Sequence, residues 1–210
     1  MIKLHHAPGS CSLAPLIALE EAGADFEIEW VDLTQGGQRA PQYLAINPKG
    51  RVPALVTERG VLTECPAILA YVAQRWPEAR LAPVDDPWAF AQMQAFNVFL
   101  TSSVHVAWAH ISRPGRYADG EAAAAAMAAK SREALPAFFA LIEDGLKDGR
   151  PWVIGDAYSV ADPYLMMFTG WVARRGLVDM AAVPGVAAHH DRAMQRPAVE
   201  RALAWKAPGA

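Results

Sequence analysis

Cys11 is the residue of this 210-residue sequence best suited to nucleophilic chemistry. It follows a short predicted strand at residues 2–5 and the turn Ala7-Pro8-Gly9, where a helix at residues 10–23 is predicted to begin. Free backbone N–H groups and the helix dipole favour negative charge at such a start. We therefore expect the pKa of the Cys11 thiol to be lowered. The alternative is an inert buried cysteine that packs as a small hydrophobe.

The second cysteine, Cys65, is far away in sequence, and Ser12-Leu13-Ala14 after Cys11 provides no resolving thiol. A dithiol oxidoreductase would be expected to carry C-x-x-C, so a single-thiol site would need a small-molecule thiol as its partner. A Cys11–Cys65 disulfide is the less favoured alternative, because two cysteines indicate a reducing compartment. Ser10 and Ser12 could donate to a thiolate or serve the turn.

Two further motifs could bind a peptide. Pro53 lies inside a predicted strand, which is tolerated if that edge faces a ligand and the Val52-Pro53 bond is cis. The main chain of Val52 could then pair with an extended peptide; the alternative is an ordinary edge-strand proline. Glu64 stands at a predicted helix start, where N–H groups could hold a carboxylate and Glu64 an ammonium. Plain capping of the helix is the alternative.

The elements that must position these residues change type along the chain. The first eighty residues predict a β-α-β unit followed by a β-β-α unit, and everything after a Pro- and Asp-rich segment has helical periodicity. We expect an α/β domain at residues 1–81, a linker at 82–86 and an all-helical domain at 87–210. Strands are predicted at residues 2–5, 26–33, 52–57 and 61–62, and helices at 10–23, 66–75, 88–111, 120–146, 159–172, 186–195 and 198–205.

Composition excludes several functions. Net charge is −3 at pH 7, which argues against nucleic-acid binding. Residues 87–112 contain no Asp, Glu, Lys or Arg, but their many polar side chains favour a buried helix over a membrane span. The adjacent pairs His5-His6 and His189-His190 lack metal-ligating company, so no metal site is expected. The start of the sequence has no apolar signal-peptide core, and we expect a cytoplasmic protein.

Several motifs occur together in a recognisable order. They are PGSCSLAP at residues 8–15, NPKGRVPAL at 47–55, TECPAIL at 63–69, SVAD at 159–162 and RPAVERAL at 196–203. The ordered set covers nearly the whole chain and resembles the cytosolic glutathione transferases, nearest the bacterial beta class. Each motif is modest alone, and their order and spacing carry the resemblance.

The resemblance implies a thioredoxin-like first domain, a cis Val52-Pro53 bond, and a homodimer joined by helices near residues 64–110. Cys11 falls on the active-site cysteine, and His105 on a helical histidine near the glutathione sulfur. Ser159 and Asp162 match a structural capping pair. The glutathione-binding residues so implied are Ser10, Gln35, Val52, Pro53, Glu64, Cys65, Ser102 and His105.

Three positions depart from the family pattern: Gln35 and Val106 replace basic residues, and Cys65 replaces a serine. Lost cations would weaken pairing with the carboxylates of glutathione, and Lys49 or Arg51 are candidate replacements. Trp108 and Tyr117 are candidates for an electrophile pocket, with core packing as the alternative.

The resemblance implies that glutathione, as co-substrate, attacks hydrophobic electrophiles, in a detoxifying role. A Cys-type site is also compatible with thiol-transferase or peroxidase side activity. The alternatives are a glutathione-dependent isomerase or dehalogenase, and a non-catalytic binding or partner module on the same fold.

Overall fold

A four-stranded mixed sheet organises the first part of the chain in the computed structural model, which describes residues 1–207. The strand order is β2-β1-β3-β4, with β1 parallel to β2 and the other two pairs antiparallel. The predicted succession, β-α-β followed by β-β-α, is confirmed. The elements are β1 (Ile2–His6), α1 (Leu13–Glu21), β2 (Phe26–Trp30), α2 (Pro41–Ile46), β3 (Ala54–Thr57), β4 (Gly60–Thr63) and α3 (Cys65–Arg75).

Both faces of the sheet are covered. Leu4 and Leu55 are fully buried in the main core together with apolar residues of α1 and α3. On the opposite side His5 packs edge-on against Tyr43 of α2, with ring centroids 5.5 Å apart. Helix α2 was not predicted, because six residues are too few to reveal a helical period.

Helices make up the rest of the described chain. The predicted helix at residues 88–111 is continuous, but its middle, Leu100–Val104, is π-helical. The expectation of one regular α-helix was therefore wrong at this segment, where the Thr101 hydroxyl donates to the Asn97 carbonyl oxygen. Single π-helical turns inside α-helices are frequent at functional sites. The helices are α4 (Pro87–Phe99), α5 (His105–Ser112), α6 (Glu121–Leu146), α7 (Ala161–Arg174), α8 (Pro184–Met194) and α9 (Pro197–Ala204).

Helix α7 is the centre of the helical part, since its residues 161–172 are all buried. The predicted capping pair at its start is confirmed. Asp162 accepts hydrogen bonds from the Ser159 backbone N–H (2.7 Å) and hydroxyl, and the Ser159 hydroxyl accepts from the Ala161 N–H. Asp162 also accepts from the Val153 N–H and pairs with His189 Nε2 at 2.9 Å.

Several contacts fix the helical part against the α/β part, among them a backbone hydrogen bond and an ion pair. The Val160 N–H donates to the Leu81 carbonyl at 2.8 Å, and Arg196, next to α9, forms an ion pair with Glu21 of α1. The predicted domain division at residues 81 and 87 stays a prediction, and residues 208–210 of the second range lie outside the described residues. None of the helices in residues 1–207 is long and apolar enough to cross a membrane.

Candidate active site

A cavity of about 500 Å³ lies between the end of the sheet and the helical part. Most of the residues singled out in the sequence line it, although they come from distant segments. Those residues are Ser10, Cys11, Val52, Pro53, Glu64, Cys65, His105, Trp108 and Tyr117.

Cys11 stands in the turn that leads into α1. The helix begins at Leu13 with Ser12 as the N-cap, so the predicted start at residue 10 was three residues early, and Cys11 lies just before the first helical turn. The Cys11 thiol donates to the Val52 carbonyl at 3.3 Å. The nucleophile candidate and the peptide-pairing strand edge are therefore in direct contact.

The two cysteines are neighbours and both are free thiols. The Cys65 thiol donates to the Cys11 carbonyl at 3.3 Å. The pKa of Cys11 is lowered, and the main cause is hydrogen bonding of the Cys65 thiol. Desolvation raises this pKa, whereas the Cys11 backbone N–H and the charge of Arg113 lower it further. Burial, followed by the nearby Cys11, raises the pKa of Cys65 well above its usual value. Of the pair, Cys11 is the one that ionises first.

A buried hydroxyl network shapes the turn around Cys11. The Ser12 hydroxyl lies 2.7 Å from His6 Nδ1 and accepts from the Ala7 N–H, while the Ser10 hydroxyl donates to the Ala7 carbonyl at 2.8 Å. Burial lowers the pKa of His6 to about 4, so the ring is neutral at pH 7. Ser10 lines the cavity, but its hydroxyl is engaged by the turn itself.

The loop before β3 presents the main chain of Val52 to the cavity. The Val52-Pro53 bond is cis, which confirms the sequence prediction. The Tyr43 hydroxyl and the Asn47 side-chain amide both donate to the Arg51 carbonyl, each at 2.6 Å. These two bonds fix the strand edge that follows.

Glu64 occupies the N-cap position of α3 with φ of 73° and ψ of 122°. Such a conformation is unusual for a residue with a side chain and is found mainly at functional sites. The Glu64 carboxylate is already engaged by Lys49, whose ammonium also donates to the Thr63 hydroxyl at 2.7 Å. The sequence suggested Lys49 as a replacement cation for glutathione, but this ion pair occupies its charge.

His105 begins α5, directly after the π-helical segment. Its ring packs edge-on against Phe168 and Trp171 of α7, with centroids 5.3 and 5.7 Å away. Burial, followed by the charges of Arg113, Arg51 and Arg116, lowers the pKa of His105 to about 4. The imidazole is therefore neutral at pH 7 and has a nitrogen able to accept a hydrogen bond from a thiol.

Aromatic side chains form the helical wall of the cavity. Trp108 stacks on Trp171 with centroids 5.1 Å apart and 25° between the planes. Tyr117 lies at the rim and packs edge-on against His110. Trp108 and Tyr117 thus lie where an electrophile pocket was predicted, and their role there stays a prediction.

Two predicted residues do not line this cavity. Gln35 lies on an exposed turn, and Ser102 is exposed on the π-helical segment, whereas its neighbour Thr101 faces the cavity. The sequence prediction assumed α-helical periodicity along this segment. Because the segment is π-helical, that periodicity could not show whether Thr101 or Ser102 faces the cavity. The glutathione contact predicted for Gln35 and Ser102 remains untested.

Sequence reasoning missed other lining residues. Tyr164 and Thr101 share a hydrogen bond of 2.9 Å, and Arg113, Arg116 and Arg175 lie at the rim. Arg113 and Arg116 follow the end of α5, whereas Arg175 follows the end of α7, so no local motif unites all three. Arg51, suggested as a replacement cation, does line the cavity.

Two family models match the chain. The model of the glutathione S-transferase N-terminal domain matches residues 1–74, and that of the C-terminal domain matches residues 93–197. The chain belongs to the glutathione S-transferase family. Its first part has the thioredoxin-like fold of this family, and its second part is the helical domain.

Individual glutathione S-transferases match over nearly their whole length. The chain is 32% identical to the glutathione S-transferase GstA of Escherichia coli, covering 96% of this chain and 97% of that protein. A glutathione transferase homologue from Sulfitobacter, solved with bound glutathione, is 40% identical, with a TM-score of 0.89 over 96% of both chains. A bacterial beta class glutathione S-transferase from Sphingomonas chungbukensis is 37% identical, with a TM-score of 0.82 over 96% of both.

Within residues 1–207 of this glutathione S-transferase, no three His, Cys, Asp or Glu side chains come together in a way that could hold an ion.

Proposed function

We propose that the protein conjugates the thiol of glutathione to hydrophobic electrophiles. The observation that carries this proposal is the contact of Cys11 with the Val52 carbonyl, in a cavity also lined by Glu64. A sulfur site, a strand edge and an acidic residue are thereby presented to one peptide. The family to which the chain belongs supports the same activity.

Glutathione would bind with its sulfur beside Cys11 and His105. Its cysteinyl part would pair with the main chain of Val52, and its γ-glutamyl ammonium would share the Glu64 carboxylate with Lys49. Gln35 and Ser102 do not line the cavity of a single protomer, so they could contribute to glutathione binding only from outside it. The peptide would therefore be held mostly by main-chain contacts and by Glu64.

The chemical step follows from the charges around the sulfur. Backbone N–H groups at the start of α1 and the positive charges of Arg113 and Arg51 favour a glutathione thiolate, while neutral His105 can accept the thiol proton or hydrogen-bond to the sulfur. The thiolate attacks the electrophilic carbon, a carbon–sulfur bond forms, and the leaving group departs with the displaced electron pair. Holding both reactants in one cavity supplies the rest of the rate enhancement.

The division into domains, the location and the oligomeric state are part of the same proposal. We assign glutathione binding to residues 1–81 and electrophile binding to the helices from residue 87 onward, with 82–86 as the linker. We further propose a cytoplasmic homodimer with a detoxifying role. An uncharged stripe exposed on α4 and α5 supports the dimer; it consists of Trp88, Ala95, Val98, Ser102 and Val106.

A binding and rate assay tests this proposal. Glutathione should bind at millimolar concentration or below, and its conjugation to chlorodinitrobenzene should exceed the uncatalysed rate. Glu64→Gln should raise KM for glutathione about tenfold or more, because a charge-assisted contact is lost. Glu78→Gln, in the short 3-10 turn after α3, is the matched control and should leave KM unchanged. Absence of glutathione binding would contradict the assignment.

Thiol transfer is a second candidate, favoured by the Cys11 thiol, whose pKa is lowered and which lines the cavity. The Cys11 thiolate would attack glutathione disulfide, form a mixed disulfide and release a glutathione thiolate. Mass spectrometry should detect the adduct in the wild type but not in Cys11→Ala. An adduct that persists in Cys11→Ala would move the reaction to Cys65.

A further inference from the structure

The rim of the cavity on the helical side carries three arginines. Arg113 ends α5, Arg116 follows in the next short turn, and Arg175 ends α7. The Arg175 guanidinium lies 4.9 Å from the centre of the Trp108 ring, next to the Trp108–Trp171 stack. Positive charge is therefore concentrated directly on the wall predicted to receive the electrophile.

These charges are not neutralised by the protein. Among residues 1–207, Arg51, Arg113, Arg116 and Arg175 have no carboxylate within 4.0 Å. Glu64 is the acidic residue of the cavity lining, and it is paired with Lys49. Such a concentration is notable in a chain whose net charge is −3.

All four arginines line the same cavity, and three of them, Arg51, Arg113 and Arg116, lie close enough for their charges to interact. Partial desolvation and then the charge of Arg116 lower the pKa of Arg113, and Arg51 acts on it in the same direction. Positive charges held close together repel one another, which lowers the stability of the folded protein unless an anion lies between them.

Glutathione alone does not account for four cations. Its two carboxylates could be neutralised by Arg51 and one arginine of the helical rim. Two guanidinium groups would then remain, and one of them, Arg175, lies against the Trp108 ring at the end of the cavity lined by Trp108 and Trp171. Guanidinium groups beside aromatic rings favour a flat ligand that also carries a carboxylate.

We propose that the preferred electrophile combines an apolar, flat body with an anionic group such as a carboxylate or sulfonate. This inference rests on the proposed function and specifies its second substrate. The apolar body contacts the Trp108–Trp171 wall, and the anionic group pairs with Arg175 and Arg116 at the rim. The electrophilic carbon then faces the sulfur site near Cys11.

A matched pair of substrates tests the inference: chlorodinitrobenzoate and its uncharged methyl ester, which share the leaving group and the ring. Each kcat/KM is divided by the uncatalysed rate with glutathione. We expect the normalised ratio of benzoate to ester to exceed one, by about tenfold for one well-placed ion pair. The ratio should fall towards one as ionic strength rises.

Variants assign the preference to the rim. Arg175→Gln and Arg116→Gln should each lower the benzoate-to-ester ratio several-fold, and the double variant should bring it close to one. Arg132→Gln, an exposed arginine of α6 that does not line the cavity, is the matched control and should leave the ratio unchanged.

The outcomes separate this inference from the proposed function. Turnover of the ester with a wild-type ratio at or below one would overturn the inference and leave glutathione conjugation standing. Rim variants that raise KM for glutathione without changing the ratio would also overturn it, because the arginines would then serve glutathione. Lack of glutathione binding and of turnover with either substrate would overturn both.

Discussion

The two cysteines differ in acidity because the Cys65 thiol lies beside Cys11 and donates to its backbone carbonyl, whereas Cys65 itself is more deeply buried. Cys65 is 5% exposed and is the donor, whereas Cys11 is partly accessible and lies before the N-terminus of α1. The sequence predicted the helix-start position of Cys11 from the preceding strand and turn. No local pattern predicts the contact with Cys65, which joins two helix starts 54 residues apart. Only the family resemblance implied that both cysteines lie at the same site.

Replacing Cys65 should make Cys11 less acidic. Cys65→Ala removes the neighbouring thiol whose hydrogen bonding lowers the pKa of Cys11, so the pKa of Cys11 rises towards its ordinary value. The pH dependence of alkylation by iodoacetamide measures that pKa. Cys65→Ser keeps a donor and serves as the control with a smaller rise. A pKa of Cys11 that is unchanged or lower in Cys65→Ala would contradict the hydrogen-bond explanation.

His6 and His105 should make the fold sensitive to acid. Both have a pKa of about 4 in the folded state, below the ordinary value near 6.5. Between these values the unfolded chain binds protons that the folded protein does not, so stability is complete above about pH 6.5 and falls as pH drops towards 4. At pH 5 a fully buried histidine with this pKa lowers the free energy of unfolding by about 2 kcal/mol relative to pH 7. The reduction is smaller for the partly exposed His105.

Urea unfolding at pH 7 and pH 5 measures this effect. His105→Phe should lose less stability between the two pH values than the wild type, because one proton-binding group has been removed. An equal loss in both proteins would show that His105 does not titrate in the manner described.

At the scale of elements, the start of α7 depends on one buried carboxylate. Asp162 accepts from two backbone N–H groups and the Ser159 hydroxyl, and pairs with His189. The S-x-x-D pattern made this capping predictable from sequence, since its contacts are local. The bonds to Val153 and His189 were not predictable, because those residues come from neighbouring segments of the tertiary structure.

Asp162→Ala should lower the free energy of unfolding by about 3–5 kcal/mol, because several buried donors lose their acceptor. Ser159→Ala is the matched comparison, and its cost should be about 1 kcal/mol, the usual value of a capping side chain. Denaturant unfolding monitored by circular dichroism measures both. Equal costs for the two variants would contradict the central role given to Asp162.

The π-helical segment shows where sequence reasoning about elements failed. Residues 87–112 contain no charged side chain, and their apolar spacing predicted one long helix. The helix is continuous, but the π-turn at Leu100–Val104 places Thr101 at the cavity and leaves Ser102 exposed. No proline or glycine marks this change, so its position depends on packing.

At the scale of the whole molecule, α4 and α5 leave an uncharged stripe exposed. It consists of Trp88, Ala95, Val98, Ser102 and Val106. Trp88 is 72% exposed and Val98 52% exposed, which is unusual for large apolar side chains on one face. The stripe lies within the residues that the family resemblance implied for a dimer interface.

The protein should therefore be a dimer of twice 22.7 kDa. Val98→Asp places a charge in the middle of the stripe and should convert the dimer to a monomer, or weaken it at least tenfold, because a buried unpaired charge is costly. Light scattering after size-exclusion chromatography gives the mass. Leu141→Asp is the control on α6, where Leu141 is 61% exposed, and should remain dimeric. A monomeric wild type would contradict the proposed interface.

Only part of the site could be predicted from the sequence. Cys11, Val52-Pro53 and Glu64 could be assigned because each occurs in a local motif that resembles a known family. His105 could be assigned from its position on the first long helix of the helical part. The arginine rim and the Lys49–Glu64 ion pair could not, because they depend on how loops and helix ends meet across the cavity.

The most direct test of the account is a crystal structure of the protein grown with glutathione. We predict that the glutathione sulfur lies beside Cys11 and His105 and that the cysteinyl main chain pairs with Val52. The γ-glutamyl ammonium should bind the Glu64 carboxylate. Glutathione bound away from Cys11, or absent from this cavity at a saturating concentration, would contradict it.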